Sequence, residues 1–256
     1  MIYAYEIYEL LLTEIRKDKR GKSLSVDEYN RISKQVNLEL FTDYYRKFEG
    51  NIESSDALGG LKVYDAQVVV TADTNDLAAV GTLPADYFHI IGKPRYYSGS
   101  TIRWLDVVST YEHAIRHSDY LTQATATHPY CELGGLDDDD GVEIRVYPYD
   151  LGASVYIDYL KEPDTPFLDY YINNTTLNYS WLSAGATSVN IPSGYTYRTG
   201  TIGGASVYVN SSTVNWEWGE DNLPIIMAKM LMLLGIQLPD EILVQAGAMN
   251  ETKLLR

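Results

Sequence analysis

The chain is poor in cysteine and in basic residues. Cys131 is the one cysteine in 256 residues, so no disulfide can form within the chain, and folding in a reducing compartment is favoured. Lys and Arg total 20 against 35 Asp and Glu, which gives a formal net charge of −15. Because nucleic-acid affinity depends mainly on cations that neutralise phosphates, this balance argues against sequence-specific DNA or RNA binding. A negative surface still suits the wall of a conduit, since like-charge repulsion keeps DNA from adhering to it.

Long apolar runs and a secretory signal are also missing. The longest apolar run, residues 225–234, is about half of the roughly 20 residues that a membrane span requires, and it contains Lys229. The first residues, Met-Ile-Tyr-Ala-Tyr-Glu, lack a basic region followed by an apolar stretch. The sequence therefore predicts a soluble protein made in the cytoplasm, with no membrane partner.

Motifs of known catalytic sites are absent. The sequence contains no Gly-x-Ser-x-Gly, Walker A or Rossmann glycine pattern. His113 and His117 lie one helical turn apart, as two metal ligands would, but no third ligand is fixed. The four aspartates at 137–140 lack the alternating spacing of a calcium loop and are typical of a solvated acidic turn. Cys131 has no base beside it in an electropositive setting, so a structural thiol is favoured. We therefore expect no enzyme activity, no metal and no cofactor.

The sequence does have a clear layout, with helices at both ends of a long tyrosine-rich stretch. An apolar stripe from Tyr8 to Ile15 predicts a first helix that ends near Arg20. A capping box at Ser25 and Glu28 begins a second helix that continues to Gly50. Two further helices are predicted near the other end, one from 221 or 222 to Gly235, and a last one from Leu238 with Ile242, Leu243, Ala246 and Met249 apolar.

The middle of the chain has the pattern of β-strands. Residues 63–71 are β-branched and apolar, and residues 142–147 and 155–160 alternate apolar with polar, which predicts a sheet with one wet face. A second capping box at Ser109 and Glu112 predicts a short helix to about His117. Gly203-Gly204 separates 195–202 from 205–209, which predicts a hairpin.

These patterns predict an α+β fold, in which the N- and C-terminal helices pack together and the middle is a large antiparallel β-rich region. The predicted parts are 1–62, the N-terminal helical part; 63–220, the β-rich region; and 221–256, the C-terminal helices that pack back on the first part. Within the β-rich region, residues 167–220 contain Arg198 as their one basic residue and are interpreted as an insertion or elaboration.

Aromatic and apolar residues near the C-terminus are candidates for binding. Trp216 and Trp218 alternate with Glu217, so both indoles share one face of an extended segment. They could form a sugar-stacking platform beside Glu217 and Glu220, although core aromatics that face the returning helix are more typical of this spacing. The apolar face of 225–234 is wider than one small core demands. The candidate subunit contacts are Ile226, Met230, Leu233, Leu234, Trp216 and Trp218.

Several short segments resemble a known family. They are Leu83-Pro84-Ala85-Asp86-Tyr87-Phe88-His89, the helix that carries Glu112, Thr127-His128-Pro129-Tyr130, Val146-Tyr147-Pro148 and Tyr159-Leu160-Lys161-Glu162-Pro163. With the helical N-terminus, they resemble virion proteins of crAss-like tailed bacteriophages that infect Bacteroidetes. The resemblance is to the neck proteins, the ring or head–tail adaptor proteins stacked below the portal. It covers roughly residues 1–165 and the C-terminal helices.

The resemblance implies a structural virion protein located in the neck and made in the host cytoplasm. It would form a homo-oligomeric ring, in the family's manner a dodecamer, that contacts the portal and other neck or tail proteins and lets genomic DNA pass without specific binding. One alternative is a carbohydrate-binding or carbohydrate-cleaving β protein of a phage tail or cell surface, which would use Trp216 and Trp218. Another is a capsid-associated or cargo protein, which would differ chiefly in stoichiometry.

Overall fold

The computed structural model describes residues 1–17, 24–48, 56–73, 77–136, 141–151, 154–198 and 200–235. The chain divides into two compact units. Residues 61–162 form one, called here the middle unit, and residues 1–60 with 163–256 form the other, called the terminal unit. The predicted α+β class is confirmed, since the described residues contain four α-helices and many antiparallel strands. The predicted β-rich region 63–220 extends over residues of both units.

Four helices are present in the described residues: α1 (Ala4–Lys17), α2 (Val26–Tyr45), α3 (Thr110–Ser118) and α4 (Leu223–Leu233). Both predicted capping serines are confirmed as N-caps. The Ser25 hydroxyl accepts a hydrogen bond from the Glu28 amide at 3.2 Å, and Ser109 accepts one from the Glu112 amide at 3.2 Å. Each bond satisfies an amide that the first turn of a helix leaves without a partner.

The described residues of the middle unit form ten strands: β1 (Lys62–Val69), β2 (Thr71–Asp73), β3 (Ala78–Thr82), β4 (Tyr87–Ile90), β5 (Arg95–Ser98), β6 (Thr101–Trp104), β7 (Asp106–Val108), β8 (Tyr130–Leu136), β9 (Val142–Tyr147) and β10 (Ser154–Lys161). One five-stranded sheet has the order β1-β10-β5-β6, with β4 also pairing β10, and the other has the order β2-β3-β9-β8-β7. Pairing is antiparallel except between β7 and β8.

The core of the middle unit follows from alternation along its strands. In β10 the side chains of Val155, Ile157 and Tyr159 are buried, and those between them are half-buried, as predicted for a strand with one inner face. Ile144 and Val146 of β9 join the same core. Apolar side chains of the two sheets thus form one cluster, which also contains Cys131.

The terminal unit contains shorter strands: β11 (Tyr170–Asn173), β12 (Tyr179–Trp181), β13 (Val189–Ile191), β14 (Tyr195–Tyr197), β15 (Gly200–Thr201) and β16 (Val207–Val209). They form a four-stranded sheet of order β12-β11-β14-β15 and a two-stranded sheet of β13 with β16.

The hairpin predicted around Gly203-Gly204 is wrong. β14 pairs with β15, so the chain reverses just after Tyr197, and β16 pairs with β13 instead of with β14. Arg198 has a φ of 52°, a left-handed conformation that begins this turn. Residues beyond the glycine pair therefore find a partner strand earlier in the chain.

Some predictions fall outside the described residues. These are the end of the first helix near Arg20, the acidic residues at 137–140 and the last helix from Leu238. The prediction that the second helix continues to Gly50 is wrong, because α2 ends at Tyr45 with Arg46 as its C-cap. The amides of Lys47 and Phe48 donate to carbonyls three residues back, which makes a turn in place of a further helical turn.

Candidate functional site

The candidate residues near the C-terminus are positioned by an extended segment that precedes α4. Val214 pairs with Phe167 and Trp216 pairs with Ile2 through isolated bridges, each closed by two backbone hydrogen bonds. The segment then turns at Gly219 into α4, where Pro224 occupies the first turn as predicted. These bridges fix the direction of both indoles.

The Trp216 indole lies in the core of the terminal unit. It is fully buried, and its Nε1–H donates to the Tyr29 hydroxyl at 3.3 Å. Tyr29 in turn donates to the carbonyl oxygen of Ala4 at 2.7 Å. Burial raises the pKa of Tyr29 to about 12, although its bond from Trp216 acts in the opposite direction.

The Trp218 indole is held by a second chain of hydrogen bonds. It is 2% exposed, and its Nε1–H donates to Asn37 Oδ1 at 2.7 Å. Asn37 donates to the carbonyl of Asp164 at 3.1 Å, and the Asp164 amide donates to Glu217 Oε2 at 2.9 Å. Glu217, proposed from the sequence as a sugar-binding carboxylate, therefore has a structural role.

A sugar-stacking platform requires an exposed aromatic face, and neither indole provides one. Both predicted indoles fill the interior and donate their N–H groups to neighbours on α2, as buried tryptophans usually do. The geometry favours the core interpretation of these two residues. A carbohydrate site built on Trp216 and Trp218 would require the core to open.

Helix α4 divides the remaining candidate contacts into buried and accessible residues. Ile226 and Met230 are fully buried, Leu234 is half-buried and Leu233 is 40% exposed. Lys229, the one polar residue of the helix, bonds Asp43 of α2 at 2.9 Å. Of the six predicted contact residues, Leu233 and Leu234 thus remain within reach of another chain.

Met232 was missed by the sequence analysis. It is 66% exposed, more than any of the six candidates. At about 100° per residue, Met232 lies roughly 200° around the helix from the buried Met230. If the helical periodicity is counted along the apolar run from Ile226 and Met230, Met232 falls on the opposite side of the helix.

The residues considered for chemistry lie in the middle unit, where Cys131 is buried, His113 is half-buried and His117 is exposed. Cys131 is fully buried, and burial raises the pKa of its thiol to about 12, which opposes thiolate formation. The His113 ring stacks on Tyr147 at 4.4 Å between centroids, and its Nδ1 lies 3.2 Å from the Tyr130 hydroxyl. His113 and His117 have ring centroids 5.6 Å apart. Within the described residues, no group of three or more His, Cys, Asp or Glu could hold a metal ion.

The sequence was compared with protein-family models and with curated proteins. No protein-family model matches the chain, and no curated protein matches its sequence. Among the described residues, no helix is both long enough and apolar enough to cross a membrane.

Proposed function

We propose that the chain is a structural virion protein of a tailed bacteriophage, a subunit of a homo-oligomeric ring in the neck. The ring, a dodecamer in this proposal, connects the portal to the tail and lets genomic DNA pass through its channel. Its partners are further copies of the chain, the portal protein and other neck or tail proteins. The role is mechanical and involves no catalysis.

The observation that carries this proposal is the apolar end of α4. The helix is apolar on all sides apart from Lys229, a composition typical of a helix that is covered all round. Its stripe of Ile226 and Met230 is buried, whereas Met232 and Leu233 are 66% and 40% exposed. Exposed apolar side chains at the end of an otherwise buried helix favour a contact with a second subunit.

In the proposed subunit the N- and C-terminal helices pack together as one framework. Contacts that support this are the bond from Lys229 to Asp43 and the 2.6 Å bond from the Tyr44 hydroxyl to Asn222 Oδ1. The Trp218 ring also lies 5.8 Å from the Tyr44 ring between centroids. Such a framework would present the end of α4 in a fixed orientation to a neighbour.

The charge of the chain supports the conduit part of the proposal. A subunit with a formal charge of −15 repels DNA at short range, so DNA would pass through the ring without adhering to it. In this proposal the ring is located in the virion neck after synthesis in the host cytoplasm.

Electron microscopy of particles that contain the chain tests the ring. We expect rotationally symmetric density that fits both units around an axial channel between the portal and the tail. Isolated copies on the outer surface of the particle, with no such symmetry, would overturn the proposal.

Substitution at the end of α4 tests the contact. Met232→Gln combined with Leu233→Gln should remove the variant from assembled particles while its circular dichroism and urea unfolding stay close to those of the parent chain. Tyr208→Gln is the matched control, because Tyr208 is 67% exposed in the same unit but lies on β16. Truncation after Asn222 is a poorer test, since it also removes the buried Ile226 and Met230. Full incorporation of the double variant would contradict a subunit contact at this end of the helix.

A further inference from the structure

An open cleft lies on the middle unit, and its lining residues are distant in sequence from Trp216 and Trp218. Its volume is about 460 Å³, which is within the range of small-molecule sites. One wall is the end of edge strand β6 with the start of β7, and the other is the loop that follows α3. The cleft belongs to neither the terminal unit nor the contact proposed at α4.

The first wall presents an exposed indole in a fixed position. Trp104 ends β6 and is 56% exposed, the most accessible position among the tryptophans described here. The guanidinium of Arg95 lies over its ring, 5.8 Å from the centroid. Asp158 holds that guanidinium with two hydrogen bonds of 3.0 and 3.1 Å, and Asp65 holds it with one of 2.8 Å. A cation fixed by two carboxylates thus orients the indole before any ligand arrives.

The second wall is a loop that its own hydrogen bonds hold in shape. Asp119 accepts from the Leu121 amide at 3.1 Å and from the Thr122 hydroxyl at 3.2 Å, which forms a first turn. The amide of His128 donates to the carbonyl of Thr125 at 3.0 Å, which forms a second turn. This loop projects Tyr120 and Leu121 into solvent at 90% and 88% exposure. An apolar pair so exposed on an ordered loop is uncommon unless it contacts something.

The lining of the cleft also contains polar side chains that can donate and accept hydrogen bonds. The Asp106 carboxylate bonds Lys93 at 2.6 Å, and this bond keeps the pKa of Asp106 below its usual value, so the group remains an ionised acceptor. Gln123 is exposed in the cleft, and its side-chain amide makes no hydrogen bond to another described residue. The Arg116 guanidinium lies in the lining but already bonds Glu112 at 2.6 Å.

We propose that this cleft binds a neutral glycan, with one sugar ring stacked on the Trp104 indole. A sugar ring has an apolar face of C–H groups, which an indole covers, and a rim of hydroxyls, each of which both donates and accepts. Asp106 accepts from such hydroxyls, and Gln123 both donates to them and accepts from them. The charged side chains of the described lining, Asp106 and Arg116, each already bond an opposite charge, which favours a neutral ligand. A wholly apolar ligand would leave the polar groups of the cleft without partners.

The lining fits binding and not cleavage. Glycoside hydrolysis uses a pair of carboxyl groups on either side of the scissile bond. Asp106 is the one carboxylate among the described residues that line the cleft. The glycan is therefore expected to leave the cleft unchanged.

The test is binding of sugars to the purified full-length chain, which does not depend on ring assembly. The sugars are malto-, cello-, chito-, xylo- and mannohexaose, and binding is followed by tryptophan fluorescence and calorimetry. We expect at least one to bind with a Kd in the micromolar to millimolar range and to shift the emission of the parent chain. Trp216 and Trp218 are buried and Trp181 is half-buried, so Trp104 is the most exposed of the four tryptophans and the shift should be lost in Trp104→Ala.

Matched variants identify the site. Trp104→Ala and Tyr120→Ala should each weaken binding by about two- to tenfold, as expected for the loss of an aromatic contact. Tyr120 is 90% exposed, so its replacement leaves the fold intact even if Trp104→Ala does not fold. Tyr111→Ala is the control, because Tyr111 is 78% exposed on α3 of the same unit and lies outside the cleft; it should bind like the parent chain.

Two results would overturn the proposal. One is no binding by any of the five sugars up to about 10 mM, a concentration that detects even very weak complexes. The other is binding that Trp104→Ala and Tyr120→Ala leave unchanged.

Protection of Trp104 from iodide quenching in assembled particles, without sugar binding, would assign the cleft to a protein contact instead. A symmetric ring without sugar binding would overturn this inference alone.

Discussion

Asp169 shows how a single residue organises the part of the chain that is poor in basic residues. Its carboxylate is 1% exposed and accepts from the Tyr197 hydroxyl at 2.9 Å and from the Ser212 amide at 2.9 Å. Arg198, the only basic residue of 167–220, lies 3.5 Å from the same oxygen. A buried carboxylate requires such partners because its desolvation is costly. The position of Arg198 is thus explained by the carboxylate that it approaches.

Tyr29 leads to a prediction about stability at high pH. Burial raises the pKa of its hydroxyl to about 12 in the folded chain, whereas a tyrosine in an unfolded chain ionises near pH 10. Between these two pH values the unfolded chain loses the proton more readily than the folded chain, so the free energy of unfolding decreases. The contribution of Tyr29 is therefore complete below pH 10 and is lost as the pH rises from about 10 to 12, by about 2–3 kcal/mol. Urea unfolding at a series of pH values measures the loss.

The variant Tyr29→Phe isolates the contribution of this hydroxyl. It should be less stable than the parent chain at pH 7, by about 1–3 kcal/mol, because the Ala4 carbonyl and the Trp216 N–H lose a partner. Its further loss between pH 10 and 12 should be smaller than in the parent chain. Leu40→Ala, which leaves a cavity in the core, is the control: it should lower the free energy of unfolding at pH 7 and show the same further decrease between pH 10 and 12 as the parent chain. If Tyr29→Phe also showed that full decrease, the Tyr29 hydroxyl would not be its source.

Strand β3 shows how an element depends on close backbone contact. It lies between β2 and β9, and Ala78 and Ala79 are small and buried, one on each face of the strand. Gly81 continues this pattern, since a Cβ placed on it would lie 2.5 Å from the carbonyl oxygen of Val69. Small side chains on β3 therefore allow the preceding strand segment to approach closely.

The variant Gly81→Ala should destabilise the middle unit by about 1–3 kcal/mol, because the new methyl group overlaps a backbone atom and not a flexible side chain. Gly59→Ala is the matched control, since a Cβ there meets nothing within 4 Å, and its effect should stay within about 0.5 kcal/mol. Equilibrium urea unfolding measures both. Equal stability of the two variants would show that β3 and Val69 can separate at little cost.

At the scale of the whole molecule, charge is the property most relevant to the proposed conduit. The chain has 15 more acidic than basic residues. Several of its basic side chains are already paired with carboxylates. Arg95 is held by Asp65 and Asp158, Arg116 by Glu112, and Lys229 by Asp43. The acidic excess of the whole chain therefore opposes the approach of phosphates.

The chain should therefore not bind double-stranded DNA even at low salt. We expect no retardation of a DNA duplex in a gel-shift experiment at 50 mM salt up to about 100 µM protein, a concentration at which nonspecific DNA-binding proteins form complexes. A basic DNA-binding protein of similar size serves as the positive control. Retardation that weakens as salt is raised would contradict a non-adhesive channel wall.

The sequence by itself determined the features that depend on neighbouring residues along the chain. The capping boxes at Ser25 and Ser109 placed two helix starts, because the cap and the amide that it satisfies lie three residues apart. Alternation in β9 and β10 predicted strands with one inner face, since side chains on a strand alternate sides. The α+β class followed from these local patterns.

The tertiary structure decided which surfaces meet, because strand pairing and burial depend on residues far apart in the chain. The glycine pair at 203–204 did not make a hairpin, since β16 found β13 as its partner. Trp216 and Trp218 became core residues through bonds to α2 from the other end of the chain, and Met232 was left exposed because α4 buries its opposite side. The cleft at Trp104 exists only where a strand end and the loop after α3 come together. A periodic pattern identifies an apolar face, but only packing determines what covers it.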